Sequence, residues 1–165
     1  MLRNPKLGDA RAALTLINSL VKEDAPILAN KEFTLKEERK WLKETIKFIQ
    51  QNKVHAIFAF SSKEYVGNVI VQKESLRRSH VGTIGIALKK NYRGIGLGTL
   101  LLKNIIEIAK KDKEIKVLTL GVLPGNTVAK NLYKKLGFKT VAKLPKHIFY
   151  KEKYVDEYIM DYLLV

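Results

Sequence analysis

The stretch NYRGIGLGTLL, residues 91–101, is the strongest constraint on how this chain folds. Three of the chain's ten glycines fall at alternate positions in this stretch, between a predicted strand and a predicted amphipathic helix. Glycine reaches positive φ and lets backbone approach a ligand closely. A helix that begins near Gly98 offers unpaired N–H groups and its dipole to an anion, and Arg93 adds charged donors. The pattern predicts a phosphate-binding loop; a plain turn without a ligand is the alternative.

Two well-known nucleotide-binding loops do not fit this stretch. A P-loop ends in Gly-Lys-Ser/Thr, whereas Gly98 is followed by Thr99 and Leu100. A Rossmann loop has the spacing G-x-G-x-x-G near the start of a βαβ unit. This stretch has G-x-G-x-G after three predicted strands, with no acidic residue at the end of a following strand. Both classes are therefore excluded.

The periodicity of the remaining sequence predicts one domain. Its order is two helices, three strands, a helix, a strand, a helix and two strands, without repeats or linkers. This order is typical of an α/β or α+β domain (residues 1–165) built on one mixed, mostly antiparallel sheet flanked by helices. The helices are predicted within residues 7–24, 34–52, 98–113 and 126–137, and the strands within 54–62, 65–74, 80–88, 115–123, 138–144 and 158–165, with 145–157 as a polar loop.

Composition narrows the class of protein. The chain has 165 residues, of which 46% are hydrophobic and 28% charged, as in soluble one-domain proteins. No apolar run approaches the roughly 20 residues that cross a bilayer, and the N-terminus lacks the layout of a signal peptide. The absence of cysteine excludes disulfides, thiolate zinc sites and a cysteine nucleophile. We therefore expect a cytoplasmic protein without a membrane partner.

The net charge of +15 leaves the partners open. It arises from 31 Lys and Arg against 16 Asp and Glu, and such a field attracts polyanions. Most of the cations are lysines scattered over predicted helices, which also serves solubility. Nucleic acid or a ribosome remains an open partner, and so does a second copy of the chain in a homodimer.

A second motif lies about thirty residues downstream, in NTVAKNLYKKLGF, residues 126–138. Together the two stretches resemble the GNAT superfamily of acyl-CoA-dependent N-acyltransferases. The family loop Q/R-x-x-G-x-G/A is matched in full by Arg93, Gly96 and Gly98. The family's later motif, N-x-x-A-x-x-L-Y-x-K-x-G-F, is matched at every position, by Asn126, Ala129, Leu132, Tyr133, Lys135, Gly137 and Phe138. The element order fits the family from Leu7 to Val165.

The resemblance implies acetyl-CoA as acyl donor, held in a V-shaped gap between two splayed central strands. The pantetheine arm would pair with the backbone of Ile86 and Leu88 and with the side chain of Asn126. The pyrophosphate would bind the N–H groups of residues 93–99. The residues expected to bind the cofactor are Ile86, Leu88, Arg93, Gly94, Gly96, Gly98, Thr99 and Asn126. The reaction expected is transfer of acetyl directly to a primary amine in a ternary complex.

Tyr133 is the catalytic residue that the resemblance implies, because a phenol near the sulfur can protonate the departing thiolate. A backbone N–H near Leu88 is the candidate for stabilising the oxyanion. No metal is expected, since His55, His80 and His147 lack ligand spacing. The base is not settled by the sequence: His80 lies roughly 20 Å along the strand from Ile86, and Glu74, Asn68 and a water-mediated route are other candidates.

The acceptor is expected between the first two helices and the segment before the last strand. These regions carry the acids Glu23, Asp24, Glu32, Glu152, Asp156 and Glu157, with Phe33, Phe149, Tyr150 and Tyr154. Such a rim suits a cationic amine, and the C-terminal sequence looks similar to the subgroup with ribosomal-protein, small-amine and antibiotic acetyltransferases. A protein N-terminus or lysine and a small polyamine-like amine both stay open. The alternatives are a non-catalytic CoA or nucleic-acid binding module, and a carboxylated acyl donor held by Arg77 and Arg78.

Overall fold

The computed structural model describes residues 1–164, so that Val165, the end of the predicted last strand, lies outside the described residues. The predicted order of elements is confirmed, with a short strand added at the N-terminus. The elements are β1 (Leu2–Arg3), α1 (Ala10–Lys22), α2 (Leu35–Gln50), β2 (Val54–Ser61), β3 (Glu64–Lys73), β4 (Val81–Leu88), α3 (Leu97–Lys111), β5 (Val117–Val122), α4 (Thr127–Lys135), β6 (Lys139–Tyr150) and β7 (Lys153–Leu163).

The strands form one open sheet in the order β1-β2-β3-β4-β5-β7-β6. Every neighbouring pair is antiparallel except β4 and β5, which are parallel. The crossover between these two strands is α3, as expected for a parallel connection. The prediction of a mixed, mostly antiparallel sheet is therefore confirmed.

The two central strands are paired over only a short stretch. The ladder between β4 and β5 joins residues 81–83 to residues 117–119 and then stops. On its other side β4 stays paired with β3 as far as Leu88, opposite Gly67. The last five residues of β4 therefore have a neighbour on one side only, and the predicted splay is confirmed. We call the gap that opens between β4 and β5, beyond Thr83 and Thr119, the split.

Helices cover both faces of the sheet. On one face α3 and α4 pack against the sheet through a large cluster that includes the fully buried Leu101, Leu102 and Ile105. On the other face α1 and α2 cover the β2–β4 half, with Phe58 and Leu42 fully buried. On this second face Glu157 and Gly121, from the strands beyond β4, lie at the open side of the split.

The segment predicted as a polar loop, residues 145–157, is instead a long hairpin. Strands β6 and β7 run up to the two-residue turn at Lys151 and Glu152, both with positive φ, at 51° and 59°. Such a turn matches the twist of paired strands. The register breaks between Leu144 and Ile148, where Pro145 on this edge strand cannot donate to a ladder. Sequence reasoning took this segment for a loop because it begins with Pro145 and is rich in charged side chains.

Candidate active site

The backbone of Ile86 and Leu88 faces the split between β4 and β5. In an antiparallel pair the backbone groups point alternately toward and away from the partner strand. Lys89 donates its N–H to Val66 of β3 at 2.9 Å, which fixes the odd positions of β4 as those that face β3. Ile86 and Leu88 therefore turn their N–H and C=O toward the open side. The side chain of Arg93 confirms this direction, because its Nε donates to the C=O of Leu88 at 3.0 Å.

The glycine loop has the geometry of an anion site. Gly94 and Gly96 have φ of 77° and 89°, which residues with a Cβ rarely adopt. Gly96 is the N-cap of α3, and the first helical bond runs from the N–H of Leu100 to its C=O at 3.0 Å. The N–H groups of residues 97–99, Thr99 among them, have no acceptor within the helix. They and the positive end of the helix dipole point out of the loop.

Gly98 serves packing as well as the loop. Its φ is not positive, and it is buried. A Cβ there would lie 3.3 Å from Cδ2 of Leu132 and 3.3 Å from Cδ1 of Leu88. The missing side chain therefore lets the start of α3, the end of β4 and α4 meet at one point beside the split.

Arg93 connects the glycine loop to the end of α1. Besides its bond to Leu88, its guanidinium forms an ion pair with Glu23, at the end of α1. Glu23 belongs to the acidic rim that the sequence assigned to the acceptor. The two regions predicted for cofactor and acceptor are thus joined through one arginine.

Asn126 has a structural role that the sequence reasoning missed. It is the N-cap of α4, and its Oδ1 accepts the N–H of Ala129 at 3.2 Å. The signal was present, since asparagine before a helix is a preferred N-cap. The Nδ2 of Asn126, for which no hydrogen bond is found within residues 1–164, can act only as a donor.

Tyr133 lies on the buried face of α4, with 7% of its surface exposed. It packs in the same cluster as Ile86 and Leu88, with its ring centroid 6.0 Å from that of Phe138. Burial raises the pKa of its phenol to about 12. No hydrogen bond of this phenol is found within residues 1–164. The hydroxyl group of Tyr133 is therefore protonated and can donate a hydrogen bond to a ligand.

The other residues of the downstream motif serve packing and helix termination. Phe138 is buried, and Leu132 and Ala129 pack against the same cluster. Gly137 ends α4 with φ of 103°, and a Cβ there would lie 3.0 Å from the ring of Tyr162. These four residues therefore position α4 and its tyrosine through packing.

The side chains considered as bases lie away from the split or are engaged. His80 is exposed in the turn before β4, at the paired end of that strand. Glu74 forms an ion pair with Arg78 at 2.6 Å, and Asn68 donates to the phenol of Tyr65 at 2.6 Å. Among residues 1–164 no group of acidic residues or histidines is arranged to hold a metal ion.

The α1–α2 loop and the β6–β7 hairpin touch above the sheet. The phenol of Tyr150 donates to the C=O of Asp24 at 2.7 Å. Four of the six rim carboxylates have a basic partner: Glu23 with Arg93, Asp24 with Lys151, Glu32 with Lys22, and Asp156 with Lys143. The segments expected to frame the acceptor therefore do meet, and most of their charge is already neutralised.

The match to a known family follows the residues just described. The sequence model of the Acetyltransferase (GNAT) family matches residues 19–138, nearly three quarters of the chain. The chain belongs to the GNAT acetyltransferase family. The matched range includes the glycine loop, both splayed strands and α4. The predicted family is thereby confirmed, while the roles of single residues stay predictions.

Curated relatives are similar over part of their length. The L-amino acid N-acetyltransferase AaaT of Escherichia coli is 29% identical over 98 residues, which are 59% of this chain and 60% of that protein. The N-alpha-acetyltransferase of Sulfurisphaera tokodaii is 36% identical over 85 residues, 52% of this chain and 48% of that protein. The chain thus spans between about half and three fifths of these relatives.

Solved structures share the fold over nearly the whole chain. An acetyltransferase of the GNAT family from Streptococcus pneumoniae superimposes with a TM-score of 0.89 at 26% identity, covering 99% of this chain and 98% of that one. The protein yncA of Salmonella typhimurium, solved with its cofactor acetyl-CoA, gives a TM-score of 0.88 at 18% identity, covering 100% and 94%. The likeness confirms the predicted fold class.

The lengths and apolar character of the helices can be compared with what a bilayer requires. Within the described residues, none of the helices has the length and apolar character needed to cross a bilayer. The cytoplasmic location, the homodimer and the nucleic-acid or ribosome partner stay predictions.

Proposed function

We propose that this protein is an acetyl-CoA-dependent N-acetyltransferase that moves the acetyl group directly to a primary amine in a ternary complex. The observation that carries the proposal is the meeting of Leu88, Gly98 and Leu132 beside the split. It joins three elements at one point: a strand end with free backbone groups, an anion-binding loop and the helix of Tyr133. Family membership and the relatives' printed names support the same activity.

The residues at the split fit the parts of acetyl-CoA. The N–H groups of residues 93–99, including those of Gly94, Gly96, Gly98 and Thr99, would bind the pyrophosphate. Ile86 and Leu88 would pair with the amides of the pantetheine arm as a neighbouring strand does. The Nδ2 of Asn126 would donate to a carbonyl of that arm, since its Oδ1 is engaged. When bound, acetyl-CoA supplies an activated thioester.

Arg93 would change partners when the phosphates bind. It forms an ion pair with Glu23 and a bond to the C=O of Leu88, the same carbonyl proposed for the pantetheine arm. A diphosphate carries more charge than one carboxylate, so it competes well for this guanidinium. Leu88 is then released to bind the arm.

Tyr133 would protonate the leaving sulfur. Its pKa of about 12 keeps the phenol protonated at neutral pH, as a donor must be. The backbone N–H of Leu88, which faces the split, would stabilise negative charge on the thioester oxygen. Both groups are held by packing, so they need little reorganisation during the reaction.

The acceptor proposed is an amine with a cationic resting form. A protein N-terminus is favoured by the name of the archaeal relative, and a free amino acid by that of the bacterial one. Lysine side chains and polyamine-like amines remain in the set, because the acidic rim suits any ammonium group. Arg77 and Arg78 lie before β4 at the paired end, which favours acetyl over a carboxylated acyl donor.

The test is release of thiol from acetyl-CoA across a panel of amines. The panel holds peptides with free N-termini, Nα-acetylated peptides with one lysine, free amino acids, polyamines and aminoglycosides, with succinyl-CoA as a rival donor. We expect release with one class of amine and with acetyl-CoA. Binding of CoA without release for any amine would contradict an enzyme and favour the alternative of a CoA-binding module. Tight, salt-sensitive binding of nucleic acid without release would favour the nucleic-acid module.

A further inference from the structure

One carboxylate lies at the mouth of the split on the acceptor side. Glu157 of β7 leans over β5, so that a Cβ at Gly121 would overlap its carboxylate. Gly121 comes two residues after Thr119, the last residue of β5 that pairs with β4. The carboxylate therefore lies where the two strands have just separated.

The two strands beneath this carboxylate carry glycines at facing positions. Leu120 and Val122 of β5 pack in the cluster under α3 and α4, so Gly121 between them faces the opposite side of the sheet. The register of β4 and β5, continued by two residues, brings Gly85 opposite Gly121. A Cβ at Gly85 would meet nothing within 4 Å. Two facing glycines thus leave an opening into which Glu157 reaches.

Within residues 1–164, Glu157 lacks the basic partner that most acids of the rim have. Four of the six acids of the rim have a basic partner, and Glu152 lies in the exposed turn of the hairpin. For Glu157 neither an ion pair nor a hydrogen bond is found within residues 1–164. An unpaired carboxylate on a chain of net charge +15 attracts a cationic ligand locally while the protein as a whole repels it.

A second acid on the same face fits the opening less well. Asp161 has a buried Oδ1 without a hydrogen-bond partner in the described chain. It pairs with Thr119, however, where β4 and β5 are still joined. The geometry therefore favours Glu157 for a group that reacts in the split.

We propose that Glu157 binds the ammonium group of the acceptor and accepts its first proton. The inference rests on the proposed function. The neutral amine then attacks the thioester carbon, so that a C–N bond forms and the C–S bond breaks with its electron pair on sulfur. Tyr133 gives its proton to that sulfur and regains one from the new amide nitrogen. One proton is released to water from Glu157, which balances the reaction.

The test compares Glu157→Gln with Glu107→Gln, which removes the same charge from an exposed carboxylate of α3 that pairs with Lys110. Dialysis with saturating CoA measures binding of tetra-alanine amide and of spermidine, with N-acetyl tetra-alanine amide as uncharged control. We expect Glu157→Gln to weaken the cationic probes at least about tenfold and Glu107→Gln less than about twofold. The affinity for CoA should stay the same in both variants.

Turnover separates proton transfer from binding. With an alkylamine we expect Glu157→Gln to lower kcat/KM about 100-fold. With trifluoroethylamine, which is unprotonated at neutral pH, the loss should fall below about fivefold, because Glu157 has no proton to remove before this amine attacks. An equal loss with both amines would contradict the proton transfer.

The inference and the proposed function fail in different ways. If Glu157→Gln binds both cations as tightly as the wild type, or if the wild type binds neither, the ammonium site is wrong. If the wild type binds them through Glu157 but releases no thiol with any amine, the ammonium site stands. In that case the proton transfer and the proposed function are both contradicted.

Discussion

The polar groups at the two ends of the β4–β5 pair differ in whether they have partners. At the paired end, Lys73 and Asp112 are buried with side chains 5% exposed, and their ion pair is 2.7 Å long. His55 completes the arrangement by contacting Asp112 at 2.8 Å. Each buried charge there has a partner of opposite charge. Such pairing is required of groups whose role is structural, because an unpaired buried charge destabilises the fold.

At the split end, polar groups are left available. The N–H groups of Ile86 and Leu88 face the gap, the phenol of Tyr133 has a proton to donate, and Glu157 has no basic partner in the described chain. Leaving such groups without partners costs free energy. The contrast fits the proposal that one end of the same strand pair stabilises the fold while the other binds the ligands.

The largest effect is expected at the split end, from Tyr133→Phe. The ring still fills its place in the core, so stability and affinity for acetyl-CoA should change little. Loss of the proton donor should lower kcat by about 100-fold. Tyr162→Phe, which removes a phenol packed on the same cluster, is the matched control and should retain activity. If turnover per bound acetyl-CoA is intact in Tyr133→Phe, the phenol has no part in the chemistry.

The next effect belongs to the paired end, from Asp112→Asn. Burial acts to raise the pKa of Asp112, but hydrogen bonds from Lys73 and His55 outweigh it and lower the pKa to about 2. The carboxylate therefore stabilises the fold above its unfolded pKa near 4, and this stabilisation is lost as the pH falls toward 2.

Urea unfolding at pH 7 should show a free energy of unfolding lower by about 2 kcal/mol in Asp112→Asn. The exposed Glu114, which also contacts Lys73, is the control: Glu114→Gln should cost less than about 1 kcal/mol. Affinity for CoA should be the same in both variants. If Asp112→Asn changed the affinity for CoA but not the free energy of unfolding, the structural role of the paired end would be contradicted.

A smaller effect is expected from Gly96→Ala in the loop. A Cβ would meet no atom within 4 Å, so the whole effect comes from the φ of 89°. Holding alanine there costs about 1–2 kcal/mol, which corresponds to roughly a tenfold loss of affinity for CoA if the loop relaxes. Gly8→Ala, also in open space but without a positive φ, should bind CoA normally. Equal affinities in the two variants would mean that the loop geometry does not matter for binding.

The smallest effect concerns Glu38, a carboxylate of α2 buried beneath the acceptor side of the sheet. Burial raises its pKa to about 7, the opposite direction to Asp112. Because the folded pKa exceeds the unfolded one, stability is lost as the pH rises from about 4.5 through 7. Glu38→Gln should therefore raise Tm at pH 8 and leave it unchanged at pH 4. The exposed Glu44→Gln is the control, and an equal shift in both variants or at both pH values would refute the assignment.

Sequence reasoning captured the fold because the periodicities and both motifs are local in the chain. It predicted the glycine loop for the same reason, since glycines at 94 and 96 indicate backbone with positive φ. It missed what depends on contacts between distant segments: the pairing of Arg93 with Glu23, and the carboxylate of Glu157 over Gly121. It also took residues 145–157 for a loop, because Pro145 and the many charged side chains of this segment hide the pairing of β6 with β7.

The measurement that tests the central claim most directly is amide hydrogen exchange of β4 at single-residue resolution, with and without CoA. The amides of residues 85 and 87 face β3 and should exchange slowly in both states. Those of Ile86 and Leu88 face the split, so they should exchange fast in the free protein and become protected when CoA is added. Unchanged fast exchange of Ile86 and Leu88 at saturating CoA would contradict the claim that the split end of β4 binds the acyl donor.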